Sequence, residues 1–448
     1  MKFSKIVIVF AMLLSYNATE AQFLKKLKKK VEKAAEETVL NKADKKTRKE
    51  TGKAIDKTID GDGDKENRSK KETDTSETGS NHGPAGEKSE NTGTASTSET
   101  PFEVYSKFDF ETGKTIVGYE NFSADPIGDI PIRWNVTGAA EIVTLSNAEG
   151  KWLRTGKGSS ALIPEFINDL PENFTLEYDL IFDFDVDEWS NNRKFNLVFS
   201  NLDNPNYDLN KVTTGTEGSN FLLSGGIGGG GGLYINTYGK DKRLNIKDSK
   251  GTDYLEEDNN GRGKVMHFSV WKQGKRLRIY LDEEKIFDAP RAFQQSDAIK
   301  TMRFYSRISP EDSYFFLGNI RYAIGTPDTR NRLLTEGELT TYGITFEKGA
   351  ATVKPSSYAV LKKVAGTLQE HKNLSLEIIG HTDADGSAEN NLKLSEKRAE
   401  AVKEALVKSF NVDASRLRAT GKGENELLAT GTGPNDHAKN RRVVFKKQ

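Results

Sequence analysis

The chain reads as a multidomain protein: an all-β sandwich followed by an α/β domain, with a disordered linker ahead of both. Two observations predict this order. Between about residues 101 and 326, apolar and polar residues alternate with period two in many short segments separated by turn residues. Further on, between Asn391 and Leu406, the period changes to the 3.6 residues of an amphipathic helix. At 448 residues there is room for two or three domains.

Residues 1–21 carry the marks of an export signal, with Lys2 and Lys5 preceding the apolar run Ile6 to Leu14 and small residues at the end of Thr19-Glu20-Ala21. The expected cleavage is near Ala21, before Gln22. That apolar run is short for a membrane span, and no later segment approaches 18 consecutive apolar residues. The expected mature protein is exported and lacks a transmembrane helix.

Residues 22–59 predict a basic amphipathic helix, with Leu24, Leu27, Val31, Ala34, Ala35 and Val39 at helical spacing. One reading lays Phe23, Leu24 and Leu27 into a membrane interface with Lys25, Lys26 and Lys28 on anionic headgroups, a peripheral outer-membrane contact. The other is a solvated helix, favoured by the thin, Ala-rich apolar face. Residues 60–100 are Ser, Thr, Gly, Glu, Asn and Lys with almost no large apolar side chain, so they predict a disordered tether. Asp60-Gly61-Asp62-Gly63-Asp64 resembles a calcium loop only at its start, because Lys65 and Lys71 stand where the loop needs Gly and Glu.

Composition excludes several classes. The chain has 66 basic and 66 acidic residues, so no global field steers it to nucleic acid. It has no cysteine, which removes disulfides, thiolate metal sites, cysteine nucleophiles and a cysteine lipid anchor. The five histidines show no metal-ligand spacing, and no cofactor motif is present. Gly225 to Gly232 lacks the Lys-Ser/Thr pair of a phosphate loop and reads as a loop or tight bend between strands.

Within 101–326, strands are expected at Phe174–Leu180, Lys194–Ser200, Met266–Lys272, Arg276–Asp282 and Thr301–Tyr305. Asn173 to Phe184, and Lys275 to Asp282 followed by Ile286-Phe287-Asp288, resemble concanavalin-like jelly rolls of lectins and glucanases. A membrane barrel fits less well, because the strands are few and the loops charged. Asp183, Asp185 and Asp187 are expected on one face of a strand, where paired carboxylates could serve a glycosidase; a solvated edge is the competing reading. Trp189, Tyr234, Tyr238 and Trp271 are candidates for sugar contact, or equally for core packing.

The most informative residues lie further on. Gly380-His381-Thr382-Asp383 is followed by the helical stretch Asn391 to Leu406, in which Leu394, Ala401, Val402 and Ala405 form an apolar stripe with Asn391 and Arg398 near its centre. A guanidinium there needs an anion, supplied by the protein or by a ligand. Together with Ile344-Thr345-Phe346, Pro355, the run Leu374 to Gly380, Gly421-Lys422-Gly423-Glu424 and Asn440-Arg441-Arg442-Val443, these motifs resemble the OmpA-like peptidoglycan-binding domain, over residues 335–448.

That resemblance implies a βαβαββ order, with Ile344–Phe346 as first strand and a helix opening at Pro355. It implies non-covalent binding of peptidoglycan through the diaminopimelate of the peptide stem, in the periplasm or at the outer membrane of a Gram-negative envelope, and no enzymatic activity. Asp383 would take the ligand's ammonium and Arg398 its carboxylate, with Asn391, Thr382 and Arg441 in support. Lys422 and Val444 depart from the family's usual aromatic and acidic residues. Asp383 pairing with Arg398 as a purely structural bridge is the competing reading. The other functional alternative is a glycan-binding or glycan-hydrolysing sandwich that the C-terminal domain localises.

Overall fold

The computed structural model describes residues 108–448, apart from 169, 205–214, 226–230, 252–254, 256–260 and 327. The export signal, basic helix and linker therefore lie outside the described residues, as do the middle of the glycine run and the Asp187 side chain.

In chain order the first strands are β1 (Thr115–Glu120), β2 (Trp134–Thr137), β3 (Ala140–Thr144), β4 (Lys151–Thr155), β5 (Gly158–Pro164), β6 (Asn173–Asp183), β7 (Arg193–Ser200) and β8 (Gly218–Gly225). They continue as β9 (Gly231–Tyr238), β10 (Lys247–Lys250), β11 (Met266–Gln273), β12 (Arg276–Leu281), β13 (Glu284–Ala289), β14 (Thr301–Ile308) and β15 (Tyr314–Ile324). One open sheet runs β13-β12-β11-β6-β15-β4-β3 with β1 also on β15; the other runs β10-β9-β8-β7-β14-β5-β2. Neighbours pair antiparallel throughout, as period-two patterning requires.

The alternation decides which side chains meet. Along β6, Phe174, Leu176, Tyr178, Leu180 and Phe182 enter one core with Phe195, Leu197, Phe199 and Phe221 of the opposing sheet. Tyr178 meets Phe304 edge-on at 5.0 Å and Phe221 meets Phe268 at 5.5 Å, so aromatic pairs fasten the two sheets face to face. The intervening β6 residues Thr175, Glu177 and Asp179 point to the other face of the sheet. All the expected sandwich strands are present, most of them extended by a few residues.

One expectation is corrected, and one open alternative is decided. The strand through Asp183 stops there and Val186–Glu188 is a short 3₁₀ turn, so the acidic run is not one face of a strand. Asp183 and Asp185 instead both accept from Arg262, at 2.6 and 3.0 Å. Trp189 and Trp271 are buried, Trp189 in the sandwich core and Trp271 against Phe110, while Tyr238 is exposed.

The C-terminal part comprises β16 (Glu338–Thr341), α1 (Tyr358–Glu370), β17 (Leu376–His381), α2 (Ala388–Phe410), β18 (Leu417–Gly423), α3 (Pro434–Asn440) and β19 (Val443–Lys447). Its sheet order is β16-β19-β17-β18, with β17 and β18 parallel and β19 antiparallel to β17. Two details differ from expectation. The first strand is Glu338–Thr341, because Ile344–Phe346 is drawn into a loop closed by a Phe346–Val353 bridge and a turn at Gly349, φ 65°. A short helix, α3, separates the last two strands, since Pro434 pre-sets its first turn. Valines, leucines and alanines of α1 and α2 pack on Leu376, Ile378, Val443 and Phe445 of the sheet.

Sandwich and C-terminal domain form one compact unit, Tyr105–Gln448. Phe108, Phe110, Trp271 and Tyr280 of the sandwich close over Ala359 of α1. Buried Glu111 pairs with Lys363 and accepts from Thr329 Oγ1 at 2.9 Å. Among the described residues no helix is long and apolar enough to cross a membrane.

Candidate functional site

Two glycines let α2 sit directly on the sheet. A Cβ at Gly380 would lie 2.3 Å from the Ser395 carbonyl oxygen, and one at Gly421 would lie 2.4 Å from the Glu396 nitrogen. Only glycine permits that approach. Ser395, fully buried, then donates to the Leu392 carbonyl and accepts from Gly423 N–H at 2.8 Å, locking helix to strand end. Ser387 caps α2 by accepting from Asn390 N–H, which places the loop 382–387 between the end of β17 and the start of the helix.

Asn391 braces this loop. Its amide nitrogen faces the carbonyls of Asp383 at 3.2 Å and Asp385 at 3.1 Å and the Glu424 carboxylate at 2.6 Å. Two N–H bonds serve three acceptors, so the amide is consumed in shaping the loop. Thr382 is buried and donates its backbone N–H to Gly423, while its Oγ1 has no partner among the described residues. His381 is also buried; burial, and then the Arg442 charge, push its pKa down to about 4, so it is neutral near pH 7.

Asp383 Oδ2 accepts from Arg441 Nη1 at 2.5 Å, and Oδ1 faces the Asp385 N–H at 3.4 Å. His437 of α3 brings Nδ1 to 3.1 Å from Asp385 Oδ2 and 3.9 Å from Asp383 Oδ2. These three residues offer donor atoms within 4.8 Å of one another, a set that suits a divalent cation, but the Arg441 guanidinium already supplies a cation at Asp383.

Arg398 corrects the helical-wheel reading. The buried face of α2 is Asn391, Ser395, Ala399, Val402 and Leu406, and Arg398 lies half-buried on its flank. Its Nε donates to the Ala350 carbonyl at 3.0 Å and its guanidinium covers the Phe346 ring at 4.9 Å. Among the described residues it forms no ion pair, so the bridge between Asp383 and Arg398 is not made. Burial pulls its pKa below the usual arginine range; Asp383 opposes that and Arg441 adds to it, which places the three charges within electrostatic reach.

Of the residues expected from sequence, Asp383, Thr382, Asn391 and Arg441 come together, and Arg398 lies on the flank of α2 with no ion-pair partner among the described residues. Sequence reasoning missed His437, although it stands four residues before Arg441, on the helix that leads into it. It missed the aromatic support of Phe346, whose surroundings have strand composition. It had no signal at all for Tyr119, a β1 residue whose ring lies 5.7 Å from the Arg441 guanidinium.

Comparison with known proteins places this site in context. The sequence profile of the OmpA family matches residues 345–441. The probable lipoprotein YiaD of Escherichia coli is 38% identical over 100 residues, 22% of this chain and 45% of that protein. Outer membrane porin F of Pseudomonas aeruginosa is 37% identical over 22% of this chain and 29% of its own length. The crystal structure of the peptidoglycan-associated lipoprotein from Burkholderia pseudomallei shares 30% identity, over 27% of this chain and all of that one, with a TM-score of 0.24. The chain thus spans less than half the length of these two curated relatives.

Proposed function

Residues 345–441 are an OmpA-family domain, and from that premise we propose that the protein is an exported, non-enzymatic envelope protein that holds peptidoglycan non-covalently. Relatives named as outer membrane proteins and a likeness to a peptidoglycan-associated lipoprotein support the wall-binding role and a place in the periplasm or at the outer membrane. In finer detail, the ligand is the zwitterionic end of diaminopimelate in the peptide stem. Arg398 takes its carboxylate and Asp383 its ammonium.

This reading rests on one feature: the half-buried Arg398 guanidinium, oriented by Phe346 and the Ala350 carbonyl, has no ion-pair partner among the described residues. Desolvating a guanidinium without an anion is unfavourable, and a carboxylate offering two parallel acceptors relieves it. The complementary carboxylate, Asp383, is held by Arg441 and retains acceptor capacity, because each oxygen carries two lone-pair directions. Charge-assisted bonds of this kind contribute about 1.5–3 kcal/mol each, so one stem binds modestly and retention relies on many stems along the wall.

The test is co-sedimentation of the full chain with purified sacculi, beside calorimetry with free meso-diaminopimelate. Arg398→Ala and Asp383→Ala should each lose binding in both assays. Variants that sediment and titrate like the parent chain would remove the proposal.

A further inference from the structure

The candidate site is completed from outside its own domain. Helix α3, which carries His437 and leads into Arg441, packs on the sandwich: Ala438 meets Ile116 of β1, Ala323 of β15 and Tyr342. Tyr119 packs against this same cluster, and its ring faces the Arg441 guanidinium at 5.7 Å. The Tyr119 hydroxyl donates to Asn319 Oδ1 at 3.4 Å. Asn319 lies in the β15 bulge at φ 50°, and its amide donates to Asp179 Oδ2 at 2.7 Å. A continuous run of contacts therefore leads from the outer face of the sandwich through Tyr119 and Arg441 to Asp383.

We propose that Tyr119, contributed by the sandwich, is a positioning residue of the peptide-stem site, holding Arg441 in place on Asp383 so that the carboxylate presents a fixed oxygen to the ligand's ammonium. The inference rests on the reading of Asp383 and Arg398 given above. The Arg441 side chain is 40% exposed, and a long cationic side chain at that exposure samples several rotamers unless it is held. Asp383 grips one nitrogen of the fork, and the Arg441 guanidinium carbon lies over the Tyr119 ring at 5.7 Å. Fixing the guanidinium before the ligand arrives removes ordering that binding would otherwise have to impose. On this view the sandwich is part of the wall-binding device, and its orientation on the C-terminal domain sets the affinity.

The experiment is calorimetry of the full chain with free meso-diaminopimelate. Tyr119→Leu should weaken binding about two- to fivefold, the range of a partly exposed cation–π contact, while Tyr119→Phe, which keeps the ring, should stay within about twofold of the parent. In an Arg441→Gln background, Tyr119→Leu should have no further effect. Full additivity of the two changes would mean that the ring acts only through general packing, and a Tyr119→Leu variant that binds like the parent would equally overturn the inference.

If Tyr119→Leu does not fold, as judged by near-ultraviolet circular dichroism, Tyr119→Met decides the matter. It keeps an apolar side chain against the same cluster while removing the ring, so weaker binding supports the role and unchanged binding removes it. Arg398→Ala separates the two levels of the argument because it leaves Tyr119 and Arg441 in place. If it binds like the parent, the stem-site reading fails and this inference falls with it. If it abolishes binding while Tyr119→Leu does nothing, only the role of Tyr119 fails.

Discussion

The sandwich and the C-terminal domain each carry a cluster of buried charge, and the two are finished differently. On the sandwich, Glu177 is 3% exposed and pairs with Arg321, which lies on the next strand. It also accepts from Thr112 Oγ1 at 2.9 Å and lies 3.7 Å from His267 Nε2, while His267 Nδ1 meets Asp179 at 2.6 Å. Every charge has an opposite neighbour. Burial opposes ionisation of Glu177, but Arg321 and His267 overcome it and hold the carboxyl down at about 2; burial likewise opposes a charged His267, and Asp179 and Glu177 lift it to about 10. In the C-terminal domain Arg398 lacks such a partner, and burial prevails. A closed network stabilises the fold; an open one is available to a ligand.

The sharpest way to break this comparison is to open the closed cluster. Arg321→Met should leave Glu177 short of its main counter-charge and destabilise the unit by about 3–5 kcal/mol, measured by urea denaturation. Arg398→Ala should change stability by less than about 1 kcal/mol in the same assay, because no ion pair is lost. Equal losses from the two variants would show that both clusters serve structure alone.

Next in size is the close approach of α2 to the sheet. Gly380→Ala should lower stability by about 1–3 kcal/mol, since the neighbour met by the new methyl is backbone and cannot rotate away. Denaturation at constant pH checks this, and a neutral outcome would mean that the helix can lift without penalty.

The pH response sharpens the contrast further, because two histidines oppose each other. His267 has a folded pKa of about 10, above its ordinary value of 6.5, so its contribution is full below about pH 6.5 and is lost as pH rises towards 10. His381 has a folded pKa of about 4, so its contribution is full above pH 6.5 and is lost as pH falls towards 4. His267→Gln should flatten the alkaline limb of a stability–pH profile and His381→Gln the acid limb above pH 4. Below that, Glu177 takes over, its contribution fading from pH 4.5 down to about 2.

The smallest effect is expected at Lys422, which pairs with Glu426 at 3.1 Å on an exposed surface. Lys422→Ala should change stability by less than about 1 kcal/mol and leave sacculus binding unaltered. A strong binding defect would move the site towards the loop after β18.

Much of this molecule is legible from local pattern. Period-two alternation locates the sandwich strands because one face of each must meet the opposing sheet, and 3.6-residue periodicity locates α2 for the same reason on a helix, whereas α1 is expected only from the family resemblance. Glycine spacing at Gly380 and Gly421, read only as motif, proved to be the contact that seats α2. The pattern failed where long-range packing outweighed it. Ile344–Phe346 has strand composition, yet Glu338–Thr341 takes the sheet edge, and Phe346 turns to support Arg398 instead. The wheel placed Arg398 at the centre of the apolar face because it counts angles and cannot see which side chains the sheet covers.

The order of the domains was therefore legible in the sequence, and the resemblance of its motifs to a known family singled out Asp383, Asn391, Arg398 and Arg441 as candidates. Tertiary structure decided which of them pair. Arg441, 58 positions away in the chain, reaches Asp383 before Arg398 does, and Tyr119, more than 300 residues from Arg441, comes to rest on it. Composition and periodicity report neighbours along the chain, whereas the partner of a buried charge is chosen by whichever opposite group the packed fold brings within reach.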